Sequence, residues 1–134
     1  MLLTRASEYA LLSLIVLSKS DTPLDAETVS KELNIPKSFL AKILQALARK
    51  NIISSFKGVR GGFALNKTSL SSTVLEIMCA VENKTPAVFD CAPSQENCPS
   101  NKASTCKIWP FINKLQGKID AFLSTLTLQD ILEE

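Results

Sequence analysis

The chain of 134 residues contains no histidine. That absence excludes histidine-based nucleophile triads and zinc centres built on imidazole. Long apolar runs are missing too. The nearest candidate, Ala10 to Leu17, is interrupted by Ser13 and falls well short of the roughly 20 residues that span a bilayer. It follows Glu8, and no small-residue cleavage site comes after it, so it is not read as a secretory signal. No membrane partner is expected, and a cytoplasmic location is. Cysteines in that compartment are thiols or metal ligands rather than structural disulfides. The paired Cys-x₂-Cys of a zinc ribbon is absent, as is the compact cysteine run of a bacterial ferredoxin. Glycine is scarce. Of the four, Gly58, Gly61 and Gly62 fall between two β-prone runs and do not open a helix, so neither phosphate-loop fingerprint applies.

What is present is an uneven charge. Lys31, Lys37, Lys42, Arg49, Lys50, Lys57, Arg60 and Lys67 share their segment with one acid, Glu32. That segment carries +7 and the remainder −5, behind a total of +2. A single-sign patch in a nearly neutral protein is the footprint of polyanion binding, and a solvated basic face is the plainer alternative.

The hydrophobic pattern predicts a mainly α protein. The first helix is expected over Thr4 to Leu17, with Tyr9, Leu12, Ile15 and Val16 inward. Asp25 is placed to cap a second helix ending at Leu33, with Ala26, Val29 and Leu33 inward. Pro36 starts a third, to about Lys50, whose core stripe is Leu40, Ile43, Leu44 and Leu47. Its other side carries Lys37, Ser38, Ala41, Lys42, Gln45 and Arg49. Two short helices with a basic outer face on the second read as a helix-turn-helix. The runs Ile52 to Phe56 and Phe63 to Leu65, joined through Lys57 to Gly62, add a small β-hairpin wing. Lys37, Ser38, Phe39, Lys42 and Gln45 are expected near bases and phosphates of double-stranded DNA, with Lys57 and Arg60 reaching the adjacent backbone or minor groove.

A fourth helix, capped by Ser71 or Ser72 and reaching about Val81, contains Cys79, which reads as a small buried hydrophobe. A long loop follows, from Asn83 to Lys107. The last long helix begins near Ile108, with Phe111, Ile112, Leu115, Ile119, Phe122, Leu123 and Leu126 at spacings of three and four. A partner helix from a second subunit is the expected cover for that seam, which makes the protein a homodimer suited to palindromic DNA. The organisation expected is a DNA-binding domain over 1–82, a sensor loop over 83–107, and a dimerisation helix with its tail over 108–134.

Within the loop, Cys91, Cys98 and Cys106 are separated by six and seven residues. Three soft ligands in one loop point to a metal or a redox centre. With no histidine available, a fourth ligand is a carboxylate, a thiolate, a backbone group or an exogenous molecule. An enzyme is not expected, since no general base stands out and the basic segment would have no purpose.

These pieces together resemble a known family. Leu3-Thr4-Arg5-Ala6-Ser7-Glu8-Tyr9-Ala10-Leu11, the element Ile35-Pro36-Lys37-Ser38-Phe39-Leu40-Ala41-Lys42-Ile43-Leu44, the wing Gly58-Val59-Arg60-Gly61-Gly62-Phe63 and the three loop cysteines are similar to the iron–sulfur winged-helix transcription regulators of the IscR, NsrR and RirA type. The resemblance implies a dimeric winged helix-turn-helix with a long C-terminal dimerisation helix. It implies an iron–sulfur cluster on Cys91, Cys98 and Cys106, 4Fe-4S rather than 2Fe-2S. One branch of the family takes its fourth ligand from an acidic residue in the first helix of the other subunit, and Glu8 occupies that position. The gaps between cysteines are longer here than is usual in the family. Reversible oxidation of the same cysteines, with no metal, is the alternative sensor.

Overall fold

The computed structural model describes residues 3–100 and 105–134. Helix α1, Arg5–Ser18, starts at Thr4, whose hydroxyl accepts from the Ser7 N–H. Its buried face is Ser7, Ala10, Ser13, Leu14, Val16 and Leu17. The apolar stripe expected there is therefore rotated: Leu12 is exposed, and Tyr9 and Ile15 are half-buried. Two serines lie inward because each hydroxyl finds a partner. Ser13 donates to the Tyr9 carbonyl at 2.7 Å, and Ser7 donates to Glu82 at 3.1 Å. Thr4 donates to the same carboxylate, which anchors the first turn of α1 to the end of α4.

Helix α2, Ala26–Leu33, is capped by Asp25, which accepts from the Thr28 N–H at 2.7 Å. It ends on Asn34 in the left-handed region at φ 56°. Ile35, nearly fully buried, plugs the turn, and Ser30 donates to its carbonyl. Helix α3, Lys37–Arg49, follows, with Pro36 at the capping position rather than inside the first turn. Leu40, Ile43, Leu44 and Leu47 are buried, as the periodicity predicts. Each buried leucine stabilises by about 1.5–3 kcal/mol relative to leaving it exposed.

Strands β1, Ile53–Phe56, and β2, Gly62–Leu65, pair antiparallel from Ile53↔Leu65 to Phe56↔Gly62. The hairpin is anchored to the turn before α2, because the Phe63 N–H donates to the Leu24 carbonyl at 2.7 Å and the Leu24 N–H returns the bond at 2.9 Å. Gly62 makes that approach possible. Its φ is 147°, and a Cβ there would lie 2.5 Å from the Leu24 carbonyl.

Helix α4, Val74–Glu82, corrects the predicted cap. Thr73, not Ser71 or Ser72, closes a capping box with Glu76, while Lys67–Ser71 forms a short 3₁₀ turn. After the long loop, with one further 3₁₀ turn at Gln95–Asn97, helix α5 spans Trp109–Thr125. The chain then forms a short helix that the hydrophobic pattern did not reveal: α6, Leu128–Leu132, capped by Thr127 with Asp130. It folds back on the winged unit. The Val74 N–H donates to the Leu126 carbonyl and the Leu128 N–H to the Ser72 carbonyl, and Leu128 is fully buried in the main core. A second apolar cluster joins Val74 and Met78 of α4 to Leu123, with Ile119, Leu126 and Ile131 packed on it.

Candidate nucleic-acid interface and cysteine loop

Burial of the Leu40–Leu47 stripe turns the opposite side of α3 to solvent. Lys37, Ser38, Lys42, Gln45 and Arg49 are all exposed there. Phe39 is 42% exposed, yet its ring meets Tyr9 of α1 edge-on at 5.6 Å. It is therefore held against α1 while presenting one edge outward. The wing carries Lys57 and Arg60, both exposed, on either side of the fully exposed Val59.

Among the described residues, the ion pairs are Arg5–Glu8 at 3.2 Å and Lys31–Glu27 at 3.4 Å. Lys37, Lys42, Arg49, Lys57 and Arg60 are in neither. The field of this face is thus not neutralised at short range, as a phosphate-binding surface requires. Asp25, at the root of the face, is held below the usual carboxylate range by hydrogen bonds from Thr28, assisted by the charges of Lys37 and Lys31.

None of the four cysteines forms a disulfide. Cys91, Cys98 and Cys106 are each partly buried, as is Cys79. Cys79 therefore differs from the buried hydrophobe expected. It borders an open cleft of about 700 Å³ with Lys50, Ile52, Leu75, Glu76 and Lys84. Burial raises its thiol pKa; a hydrogen bond with Thr85 acts the other way, and the charges of Asp120 and Glu76 raise it further.

The three loop cysteines do not converge within one chain. Among the described residues, no three cysteine or carboxylate side chains stand where they would hold a metal ion. Glu8 is exposed on the first turn of α1, paired with Arg5. The donor chemistry still suits an iron–sulfur cluster, since three undisulfided cysteines share one loop. Closing the loop on such a group requires the cysteines to move relative to one another.

The start of that loop is fastened to α5 by side chains that composition and periodicity did not single out. Gln116, only 5% exposed, donates to the Pro86 carbonyl at 3.0 Å and to Asp120 at 2.7 Å, and accepts from the Val88 N–H at 2.8 Å. Asn113 donates to the Ala92 carbonyl at 2.8 Å. The Trp109 indole donates to the carbonyl of Cys91 at 2.8 Å. The available signal was positional: Trp109, Asn113, Gln116 and Asp120 recur at helical spacing beside the predicted apolar seam.

That seam divides. Ile112 and Leu123 are buried, and Leu123, Ile119 and Leu126 pack in the cluster with α4. Ile108, Phe111 and Phe122 are 57, 61 and 63% exposed, and Leu115 is half-buried. Among the described residues, no helix is long and apolar enough to cross a membrane.

The family model for Rrf2, described as an iron-dependent transcriptional regulator, matches residues 3–134. The HTH-type transcriptional regulator IscR of Yersinia pestis is 28% identical over 142 residues, covering 99% of this chain and 84% of the relative. IscR of Photorhabdus laumondii is 25% identical over 135 residues, covering 98% and 79%. The solved structure of CymR, the global cysteine regulator of Bacillus subtilis, superposes with a TM-score of 0.72 at 17% identity, over 99% of this chain and 97% of that one. That likeness concerns the fold, which is a winged helix-turn-helix with a two-stranded hairpin.

Proposed function

The chain belongs to the Rrf2 family of transcriptional regulators, and from that premise we propose that it is a dimeric, cytoplasmic DNA-binding regulator whose cysteine loop is the sensor. It is a regulator and not an enzyme. The observation that carries the DNA reading is the cationic face made by α3 and the wing, free of ion pairs among the described residues. In this reading α3 lies in the major groove, with Ser38, Phe39 and Gln45 near base edges and Lys37 and Lys42 on phosphates. Lys57 and Arg60 reach the flanking backbone or minor groove. Residues 1–82 bind DNA, 83–107 sense, and 108–134 join two subunits.

The sensor reading places an iron–sulfur cluster, 4Fe-4S rather than 2Fe-2S, on Cys91, Cys98 and Cys106, with Glu8 of the partner subunit as fourth ligand. The relatives named IscR and the cysteine donor set support it. Such a group supplies an oxidisable centre that ties three thiolates together when bound. A second reading, a metal-free thiol switch, is supported by the fold shared with CymR, the global cysteine regulator, and by the four cysteines outside any disulfide.

One experiment addresses both halves. Anaerobic protein is supplied with ferrous iron and sulfide, followed by visible absorption, and then titrated on duplex DNA over a range of salt. The expected outcome is a brown protein that loses its absorption in Cys91→Ala, Cys98→Ala and Cys106→Ala but not in Cys79→Ala. Lys42→Ala and Arg60→Ala each weaken binding and reduce the salt slope by about one. Lys19→Ala, away from the face, leaves both unchanged. A colourless protein whose DNA affinity follows thiol oxidation selects the second reading. Equal losses at Lys19, Lys42 and Arg60 reject the assigned surface.

A further inference from the structure

The nucleic-acid face leaves Lys50 and Lys84 without a role. Lys50 closes the C-terminal end of α3, and Lys84 follows the end of α4. Both are exposed, and neither is in an ion pair among the described residues. They line the cleft of about 700 Å³ that Cys79 borders. A cleft of that size is in the range that receives a small molecule. Its apolar wall is Ile52 and Ala80, both more than nine-tenths buried, with the half-buried Leu75.

The cleft is not neutral. The acid on its lining is Glu76, whose carboxylate accepts from the Thr73 N–H at 2.8 Å in the cap of α4. The C-terminal ends of α3 and α4 each bring about half a negative charge. Lys50 and Lys84 stand against these, and a smaller recess of about 370 Å³, which shares Lys50 and Asn83, adds Arg49. The three cations therefore exceed the carboxylate and the two helix ends by about one positive charge.

We propose that this cleft, between the end of α3 and α4, binds a small organic monoanion with a short apolar body, of the medium-chain carboxylate class. The body lies on Ile52, Leu75 and Ala80, and the carboxylate meets the ammonium groups of Lys50 and Lys84. No ion pair has to break before it arrives. The apolar wall selects against bare inorganic anions, and the lysines select against uncharged molecules. An occupant also touches the turn that joins α3 to β1, where the Ile52 N–H donates to the Leu47 carbonyl at 3.1 Å. It thus sits beside the helix whose outer side carries the candidate DNA-reading residues. The proposal is separate from the cysteine-loop sensor, and its test needs neither iron nor DNA.

The full chain is titrated with sodium hexanoate at fixed ionic strength and followed by amide nuclear magnetic resonance shifts. Shifts centred on Ile52, Leu75 and Ala80 are expected to saturate with a midpoint of about 1 mM, an affinity so small a ligand can reach. Hexan-1-ol keeps the apolar body and inorganic phosphate keeps the charge; each is expected to bind at least about tenfold more weakly. The Lys50→Gln, Lys84→Gln double variant is expected to lose about tenfold in hexanoate affinity and, because both side chains are exposed, to stay folded. Lys19→Gln, outside the lining, keeps the wild-type affinity. Hexanoate also slows iodoacetamide labelling of Cys79, whose side chain lines the same cleft. The proposal is overturned by any of three results. These are no saturable shifts up to about 20 mM hexanoate, equal binding of hexan-1-ol or phosphate, or full hexanoate affinity in the double variant.

Discussion

The surroundings of Cys79 set the chemistry of its thiol. Burial, with Asp120 and Glu76 adding negative charge, raises the Cys79 thiol against the opposing hydrogen bond from Thr85. Only the thiolate attacks electrophiles or binds iron, so the raised pKa lowers the reactivity of Cys79. Iodoacetamide at pH 8 is expected to label Cys79 in folded, reduced protein more slowly than the same thiol in unfolded protein. Peptide mapping of the timed reaction checks this, and faster labelling of Cys79 contradicts it. The same shift has a consequence for stability. The folded chain holds this proton more tightly than the unfolded chain, whose thiol has the ordinary value of 9.0. The stabilisation is complete below that value and is lost as pH rises through the raised folded one. Denaturation midpoints of wild type and Cys79→Ser should differ in slope only on that alkaline side.

At the scale of elements, α6 decides how the C-terminal region is arranged. Five residues give it little intrinsic stability. It persists because Leu128 is fully buried and because Thr73 and Thr127 bridge the starts of α4 and α6. Leu128→Ala is expected to lower unfolding free energy by about 2–5 kcal/mol, measured by urea titration. Thr73→Ala, which removes half of a capping box, should lower it by about 1 kcal/mol. A Leu128→Ala loss below about 0.5 kcal/mol would show that α6 is not docked on the core. Helices α1 to α5 and the wing were legible in the sequence because each carries a long stripe, a cap or a glycine turn. α6 was not, since one turn with a single buried leucine has no periodicity to detect. The cap of α4 was misplaced at Ser71 or Ser72, because the reach of Glu76 to the Thr73 N–H is visible only in the folded chain. The exposure of the cationic residues of α3 and the wing was legible from charge and stripe. The Gln116 contacts were not, because an isolated glutamine in a helix reads as solvated. Its burial follows from the path of 86–92 over α5, a tertiary fact.

For the whole molecule, α5 presents three adjoining stripes, and each has a different destination. Trp109, Asn113 and Gln116 hold the cysteine loop, while Ile119 and Leu123 pack beside α4. On the third stripe Ile108, Phe111 and Phe122 are exposed and Leu115 is half-buried among the described residues. Such a stripe on an exposed helix marks an interaction surface. In the proposed dimer a second copy would supply an identical stripe, and two-fold symmetry would set the two against each other. Burying a side chain such as Phe111 or Phe122 contributes about 1.5–3 kcal/mol, which works against the cost of bringing two subunits together. The structure also separates two substitutions that a simple apolar seam would treat alike. Ile119→Asp places a carboxylate in the cluster with Val74 and Met78, and is expected to destabilise the subunit itself. Phe111→Asp and Leu115→Asp place it on the outer stripe, and are expected to yield folded monomers. Sedimentation with circular dichroism distinguishes the outcomes. The monomers should lose most of their affinity for a two-site duplex, because the half-sites are no longer linked, yet keep their affinity for a single half-site. A Phe111→Asp, Leu115→Asp double variant that stays dimeric with unchanged DNA binding would assign the outer stripe to some other partner and move the subunit contact elsewhere on the molecule.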